Sequence, residues 1–482
     1  MTERRDIWKA HEDDGLWNET VLAYALAFGE LAKPKPNRPA SWDLTYQAAV
    51  HDMNPLPPRG DLRAQCQHDT WFFLPWHRMY LLHFEAVIRA IILDLPAGPI
   101  SDETRDSWAL PYWDYGPAAN RLLPPAFREA ALPDGTPNPL ARANRFRAVQ
   151  QGTVGLTDAE VEFAGWWNQP VFTLPSTPSF GGSDTAGPRH RPLDFRSAGA
   201  LEVTPHGTVH VYVGPDMRDF TRAGFDPIFW LHHCNLDRLW EVWRTAGPVV
   251  LTNPTTGGWL TERFSFLDVE GNVWSGTSAD VDSTTALGYT YENTSAPTAA
   301  QSPTPTRTSG GQMPDDETWR EALAPRALGS ADQEIELGSE ARTVGVDLAS
   351  DRQMFARVDR PAPARIILDV NNIGLAPASL RRIEAGTGLI GTYAVYLEGT
   401  RTGVEAFVGN LPLFGLIESL REDGHQLGYT FDITDAVGTL SAQDAWEWEH
   451  ADIRVQPNNP DLYADEAEIV TVTVGNFTIS YQ

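Results

Sequence analysis

Six of the twelve histidines in this 482-residue chain fall into two triplets, and that pattern restricts the fold more than any other feature. His51 lies in an amphipathic segment, Ser41–Asn54. His68 precedes a second such segment, Pro75–Leu93, and His77 sits in its first turn. In the other triplet His206 and His210 are four residues apart, a spacing that puts both on one face of a helix. His233 arrives from a third amphipathic segment, Asp226–Trp243. The Asp226–Pro227 pair suits a helix start, because the Asp side chain can cap free amides and Pro has the φ wanted at the first position. Any single histidine is more often a satisfied core or surface residue than a ligand, and a lone His-x-x-x-His is common on helices. Two triplets on separate helices, each among aromatic residues, are better explained by convergence in a mainly helical domain with long loops.

Imidazole is a neutral ligand suited to copper, zinc, iron and nickel. A di-iron bundle would need carboxylates, mainly Glu with Glu-x-x-His, and the triplets have none in the matching slots. A zinc-protease helix would need Glu directly after its first histidine, where this chain has Gly207. An all-imidazole site suits copper in both its cuprous and cupric states, with a zinc-loaded structural site as the alternative. Two three-coordinate coppers facing each other would leave room for dioxygen. His83, six residues past His77, is read as packing.

With 37 Lys+Arg against 64 Asp+Glu the formal charge is −27, which disfavours nucleic acid and anionic membranes as partners, since phosphates would be repelled. Neutral small molecules incur no such cost. The segment MTERRDIWKAHEDDG has no apolar stretch behind its charges, and no apolar run is long enough to span a bilayer. Cys66 and Cys234 are the only cysteines, too few for a disulfide framework. A cytoplasmic location is therefore expected, with export alongside a signal-bearing partner as the alternative.

Ten of the twelve histidines lie in residues 1–293, expected to be the helical domain. Residues 294–345 are rich in Ser, Thr, Pro and Gly and are expected to be a linker. Short alternating runs such as ARIILDVNN, GTYAVYLEG and EIVTVTVGNFTISY then predict an all-β sandwich or barrel over 346–482.

The segments HDTWFFLPWHRMYLLHFE, ALPYWDY, PHGTVHVYVG and DPIFWLHHCNLDRLW closely resemble the copper-site segments of type-3 copper proteins: tyrosinases, catechol oxidases (polyphenol oxidases) and molluscan haemocyanin units. LGYTYE (Leu287–Glu292) resembles the tyrosine motif that closes that family's catalytic core. The resemblance implies that His51, His68 and His77 bind copper A, and His206, His210 and His233 copper B. His232 is then a neighbour rather than a ligand. It implies a thioether between Cys66 and His68; the plainer reading of Cys66 is a small buried hydrophobe, which is how Cys234 is read. It implies that Glu202 holds a water near copper B and that Phe220 gates the site above copper B, where a surface carboxylate and an ordinary core residue are the alternatives. Asp237 could orient a ligand or pair with arginine.

The resemblance also implies that a reduced copper pair takes up O2 and that a small phenolic substrate becomes an o-quinone as O2 goes to water. Many monophenol-hydroxylating tyrosinases carry Asn where this chain has Gly207, so oxidation of o-diphenols, with o-aminophenols as a further class, is favoured over monophenol hydroxylation. Reversible O2 binding, as in haemocyanin, is the alternative outside catalysis. The β domain resembles the C-terminal domain of plant polyphenol oxidases, most closely in ITDAVGTL and VTVGNFTI, which implies an intramolecular cover over the copper site.

Overall fold

Two long helices carry the predicted apolar stripes. They are Phe73–Asp94 and Pro227–Thr245, both buried over most of their surface, as helices running through a core must be. The second starts as its sequence suggests: the Asp226 carboxylate accepts from the Ile228 amide at 3.0 Å and Pro227 takes the first position. Ser41–Asn54 resolves into a 3-10 turn, Ala40–Trp42, and a helix, Leu44–His51, capped by Asp43 at the Thr45 amide. Glu19–Leu31 packs against Phe73–Asp94 and completes the body of the helical unit.

One predicted helix is broken. Glu202–Gly207 forms a wide π-type turn in which Thr204 has extended backbone (φ −138, ψ 124), and the α-helix runs only over Thr208–Val213. Pro205 has no N–H to donate to a helical ladder, so a regular helix does not run through it and begins only at Thr208.

This computed structural model describes residues 1–297, 326–349 and 365–482, apart from 34, 59, 176–177, 186, 189, 191–194, 248–249, 386–387, 423–425, 464–467 and 482. The centre of the expected linker lies outside the described residues. Its C-terminal part is not linker: strands Arg326–Ala331, Ile335–Leu337 and Arg342–Asp347 occupy positions assigned to it. Their sparse apolar content, one buried residue every second position at best, hid them from a composition-based reading.

The β part is a sandwich. One sheet orders Glu405–Leu411, Tyr393–Glu398, His450–Pro457 and Arg342–Asp347; the other orders Leu427–Asp432, Ile366–Leu375, Val472–Tyr481 and Arg326–Ala331, with Ile335–Leu337 also on Val472–Tyr481. All these pairings are antiparallel. Leu368, Val370, Val474 and Phe477 from one sheet meet Val395, Leu397, Ile453 and Val455 from the other in a single core. Among the described residues no helix is long and apolar enough to cross a membrane.

The two ends of the helical unit are tied together. Thr2–Arg4 pairs in parallel with Tyr289–Tyr291, the strand within LGYTYE. Beneath that pair Asp237 accepts from Arg78 at 2.5 Å, Arg4 at 3.2 Å and the Tyr289 hydroxyl at 2.6 Å, with Tyr291 as a fourth donor. Arg4 also reaches Glu85 at 2.9 Å. Burial alone would raise the Asp237 carboxyl pKa, but the two guanidiniums and two hydroxyls outweigh it and hold it below its ordinary value. Its stabilisation is therefore present above the unfolded-state pKa of about 4 and is lost as pH falls through the lower folded-state value. We predict that Asp237→Ala lowers stability by about 3–5 kcal/mol, since Arg78 then stays buried without its carboxylate. Lys33→Ala, in an exposed pair with Glu30, should change it by about 0.5 kcal/mol or less. Thermal unfolding of the two variants at neutral pH checks both.

Candidate metal centre

His51 is the last residue of its helix, and its Nδ1–H donates to the Phe220 carbonyl at 2.9 Å. His77 lies one turn after Phe73 and donates from Nδ1 to that residue's carbonyl at 2.8 Å. The second triplet repeats the device, with His206 Nδ1 against the Glu202 carbonyl at 3.0 Å and His210 Nδ1 against the Met217 carbonyl at 2.5 Å. A carbonyl can only accept, so each of these four rings carries its proton on Nδ1 and turns the Nε2 lone pair inward. Among the described residues no protein hydrogen-bond partner meets Nε2 of His51, His77 or His206, either nitrogen of His68, or Nδ1 of His233. His210 and His233 bring their Nε2 atoms to 3.2 Å.

Within each triplet, one nitrogen from every ring lies within 4.8 Å of the others. The triplets also face each other: His77 and His233 stack at 4.5 Å with a 9° tilt, and His68 and His206 at 5.7 Å. All six rings are buried. Burial, with a carbonyl contact opposing it, lowers the pKa of His51 to about 4 and of His210 to about 3. For His68, His77, His206 and His233 burial is again the main cause, and repulsion among the imidazoles drives the values well below the ordinary one. The rings are therefore neutral near pH 7. Two groups of three buried imidazoles, five of the six rings with a nitrogen that no described residue meets, are a donor set that fits two metal ions and is costly without them.

The other residues singled out in the sequence divide. Glu202 is buried, and its carboxylate accepts from the Asp69 amide, next to His68, at 2.8 Å. Phe220 is fully buried but lies against the first triplet, not above the second: its ring is 4.7 Å from His68 and 5.9 Å from His51. The carbonyl bond to His51 holds it there. Gly207 follows His206 directly, as read. Cys66 is buried, and its sulfur lies 3.4 Å from Nδ1 of His190. Asp237 is the arginine-paired carboxylate. His83 stacks on Phe266, and His232 is a neighbour whose Nδ1 lies 3.3 Å from the Tyr115 hydroxyl.

Sequence reasoning missed two features. His190 bridges Cys66 to Asp52, with Nε2 2.9 Å from the carboxylate. Phe414, from the β part, stacks on His210 at 4.4 Å and meets His206 at 5.4 Å, Phe220 at 4.4 Å and His68 at 6.4 Å. No local pattern marks it, because its partners are some 200 residues away in the chain or more.

Residues 41–189 and 166–246 match the common central domain of tyrosinase. The helical unit is thus similar to the tyrosinases and polyphenol oxidases, the type-3 copper proteins. This is an oxidoreductase family that uses a dicopper centre and acts on phenols with O2. Residues 325–482 match a domain of unknown function (DUF7868), which begins where the first strand of the sandwich does. A tyrosinase of Hahella sp. (strain CCB-MM4) is 29% identical over 95% of this chain and 95% of its own length. A chloroplastic polyphenol oxidase of Malus domestica is 29% identical over 50% of this chain but only 40% of its own length, and an aureusidin synthase of Antirrhinum majus 26% over 49% and 43%. The fold matches that of latent apple tyrosinase (TM-score 0.62, 21% identity, covering 100% of this chain and 97% of that one). It also matches latent aurone synthase (0.62, 19%, 99% and 89%). The chain thus joins a helical core to a C-terminal β domain, as those structures do.

His210→Ala should remove the ion held by the second triplet and abolish turnover. His450→Ala should leave metal content unchanged, because that ring sits on the sandwich between Asp347 and Asp452. Metal analysis of both purified variants checks this. His425 lies outside the described residues.

Proposed function

We propose that each triplet holds one copper ion and that this chain oxidises o-diphenols, with o-aminophenols as a further class, to o-quinones while O2 is reduced to water. When bound, the copper pair would supply the two-electron exchange between phenol and O2. The facing triplets, with His77 and His233 stacked at 4.5 Å, are the observation that carries this reading.

The chain's own residues have separate tasks. Carbonyls of Phe220, Phe73, Glu202 and Met217 hold four imidazoles in one tautomer and one orientation. Phe220 excludes water on the side of His51 and His68. Glu202 is the candidate holder of a water that takes the phenol proton, its own position set by the Asp69 amide. Gly207 brings no amide side chain to help orient that water, which favours diphenols, already the easier substrates to deprotonate and oxidise. Monophenol hydroxylation is the second reading, supported by the full-length similarity to a protein named tyrosinase. For Cys66 we propose the thioether to His68, which would leave the peptides carrying the pair lighter by two hydrogen atoms.

The full chain is proposed to be latent. Phe414 lies flat against His210, where a phenol ring would stack, and so competes with substrate for the apolar approach. After copper loading, O2 should produce a near-ultraviolet charge-transfer band. Catechol should then drive steady O2 uptake, with much slower uptake on a monophenol. Detergent, or Phe414→Ala, should raise the catechol rate by about tenfold or more, the scale of removing one well-packed aromatic from a site. A single burst of O2 binding without turnover would identify a carrier instead.

A further inference from the structure

Gly207 has no conformational reason to be glycine. Its backbone is ordinary right-handed helix (φ −63, ψ −37), which any L-residue adopts, and glycine costs a helix stability relative to alanine. What forbids a side chain is the β domain. A Cβ at 207 would lie 2.9 Å from Cγ and 3.0 Å from Cβ of Pro412, while the next atom, the Glu202 carbonyl oxygen, is at 3.7 Å, an ordinary contact. Pro412 is buried, and its ring has no rotamer that would swing it clear.

Neither side can yield easily. Asn410, two residues before Pro412, donates to the Ala159 carbonyl at 2.7 Å and to the Thr204 hydroxyl at 3.1 Å. Thr208, next to Gly207, donates to the Glu160 carbonyl at 2.6 Å and shares the Pro205 carbonyl at 2.9 Å. Two residues beyond Pro412 is Phe414, the ring on His210.

We propose that Gly207 couples substrate selectivity to latency: the hydrogen at its Cα is what lets the Pro412–Phe414 turn close over the second triplet. A side chain introduced there to act on phenol deprotonation would also displace the cover. An amide at 207 and a closed β domain are mutually exclusive in this chain. The inference rests on the latency reading above.

The test is Gly207→Ala in the full-length chain, read in two ways. In the metal-free protein, hydrogen exchange at the Leu413 amide, now bonded to the Tyr429 hydroxyl at 3.2 Å, should quicken by about tenfold or more, as overpacking of a closed contact implies. In the copper-loaded protein, catechol turnover without detergent should rise by a similar factor, and Gly207→Asn should do at least as much. In a Pro412→Ala background, which removes the nearer atom, Gly207→Ala should have a clearly smaller effect on both readouts. If Gly207→Ala exchanges like the parent while detergent still activates both, the coupling is wrong and latency stands. If detergent and Phe414→Ala leave the parent's rate unchanged, the latency reading itself fails. An undiminished effect in the Pro412→Ala background, or a Gly207→Ala chain whose helical core unfolds, would also overturn the proposal.

Discussion

Six imidazoles taken out of water, five of them with a ring nitrogen that no described residue meets, are the constraint around which this molecule is organised. Leaving such groups buried and unsatisfied is unfavourable, so the helices that carry them must be held together by something else. Part of the support is local: four rings are tied at Nδ1 to backbone carbonyls, two of them only four residues away. The other two carbonyls, from Phe220 and Met217, belong to the segments that connect the short helix of His210 to the long helix of His233. The second triplet's own connection thereby orients one ring of the first, which makes the two halves of the centre interdependent.

The remaining support comes from the far side of the two long helices. Arg78 lies one residue past His77 and Asp237 four past His233, so their ion pair clamps the helices that deliver one imidazole to each triplet. Arg4 and the tyrosines of the closing strand complete that pair, which ties the start of the chain to the end of the helical unit. The charges are buried at substantial desolvation cost and are tolerated because every carboxylate oxygen has donors.

The β sandwich contributes through shape. Phe414 is apolar and aromatic, so it can lie against imidazoles without supplying a competing ligand. Its placement depends on a close approach of Pro412 to a helix that has no side chain at the contact. Buried polar contacts, such as Asn410 with the Ala159 carbonyl and Asn459 with the Gly155 carbonyl, fix the register of the two units.

Much of this was legible in the amino-acid order. The spacing of His206 and His210, the Asp226–Pro227 helix start, the apolar stripes around His77 and His233, and the alternation of the late strands are local patterns, and local patterns record helix and strand periodicity directly. Other features had no local trace. The side of the site taken by Phe220 depends on a carbonyl contact 169 residues away, and the strand Arg326–Ala331 exists only because Val472–Tyr481 offers it an edge. The sequence by itself determined which residues can serve as ligands and which elements carry them. Tertiary structure alone decided that the triplets face each other, that Asp237 pairs with arginine, and that Phe414 and Pro412 lie over the centre, because those facts depend on contacts between residues far apart in the chain.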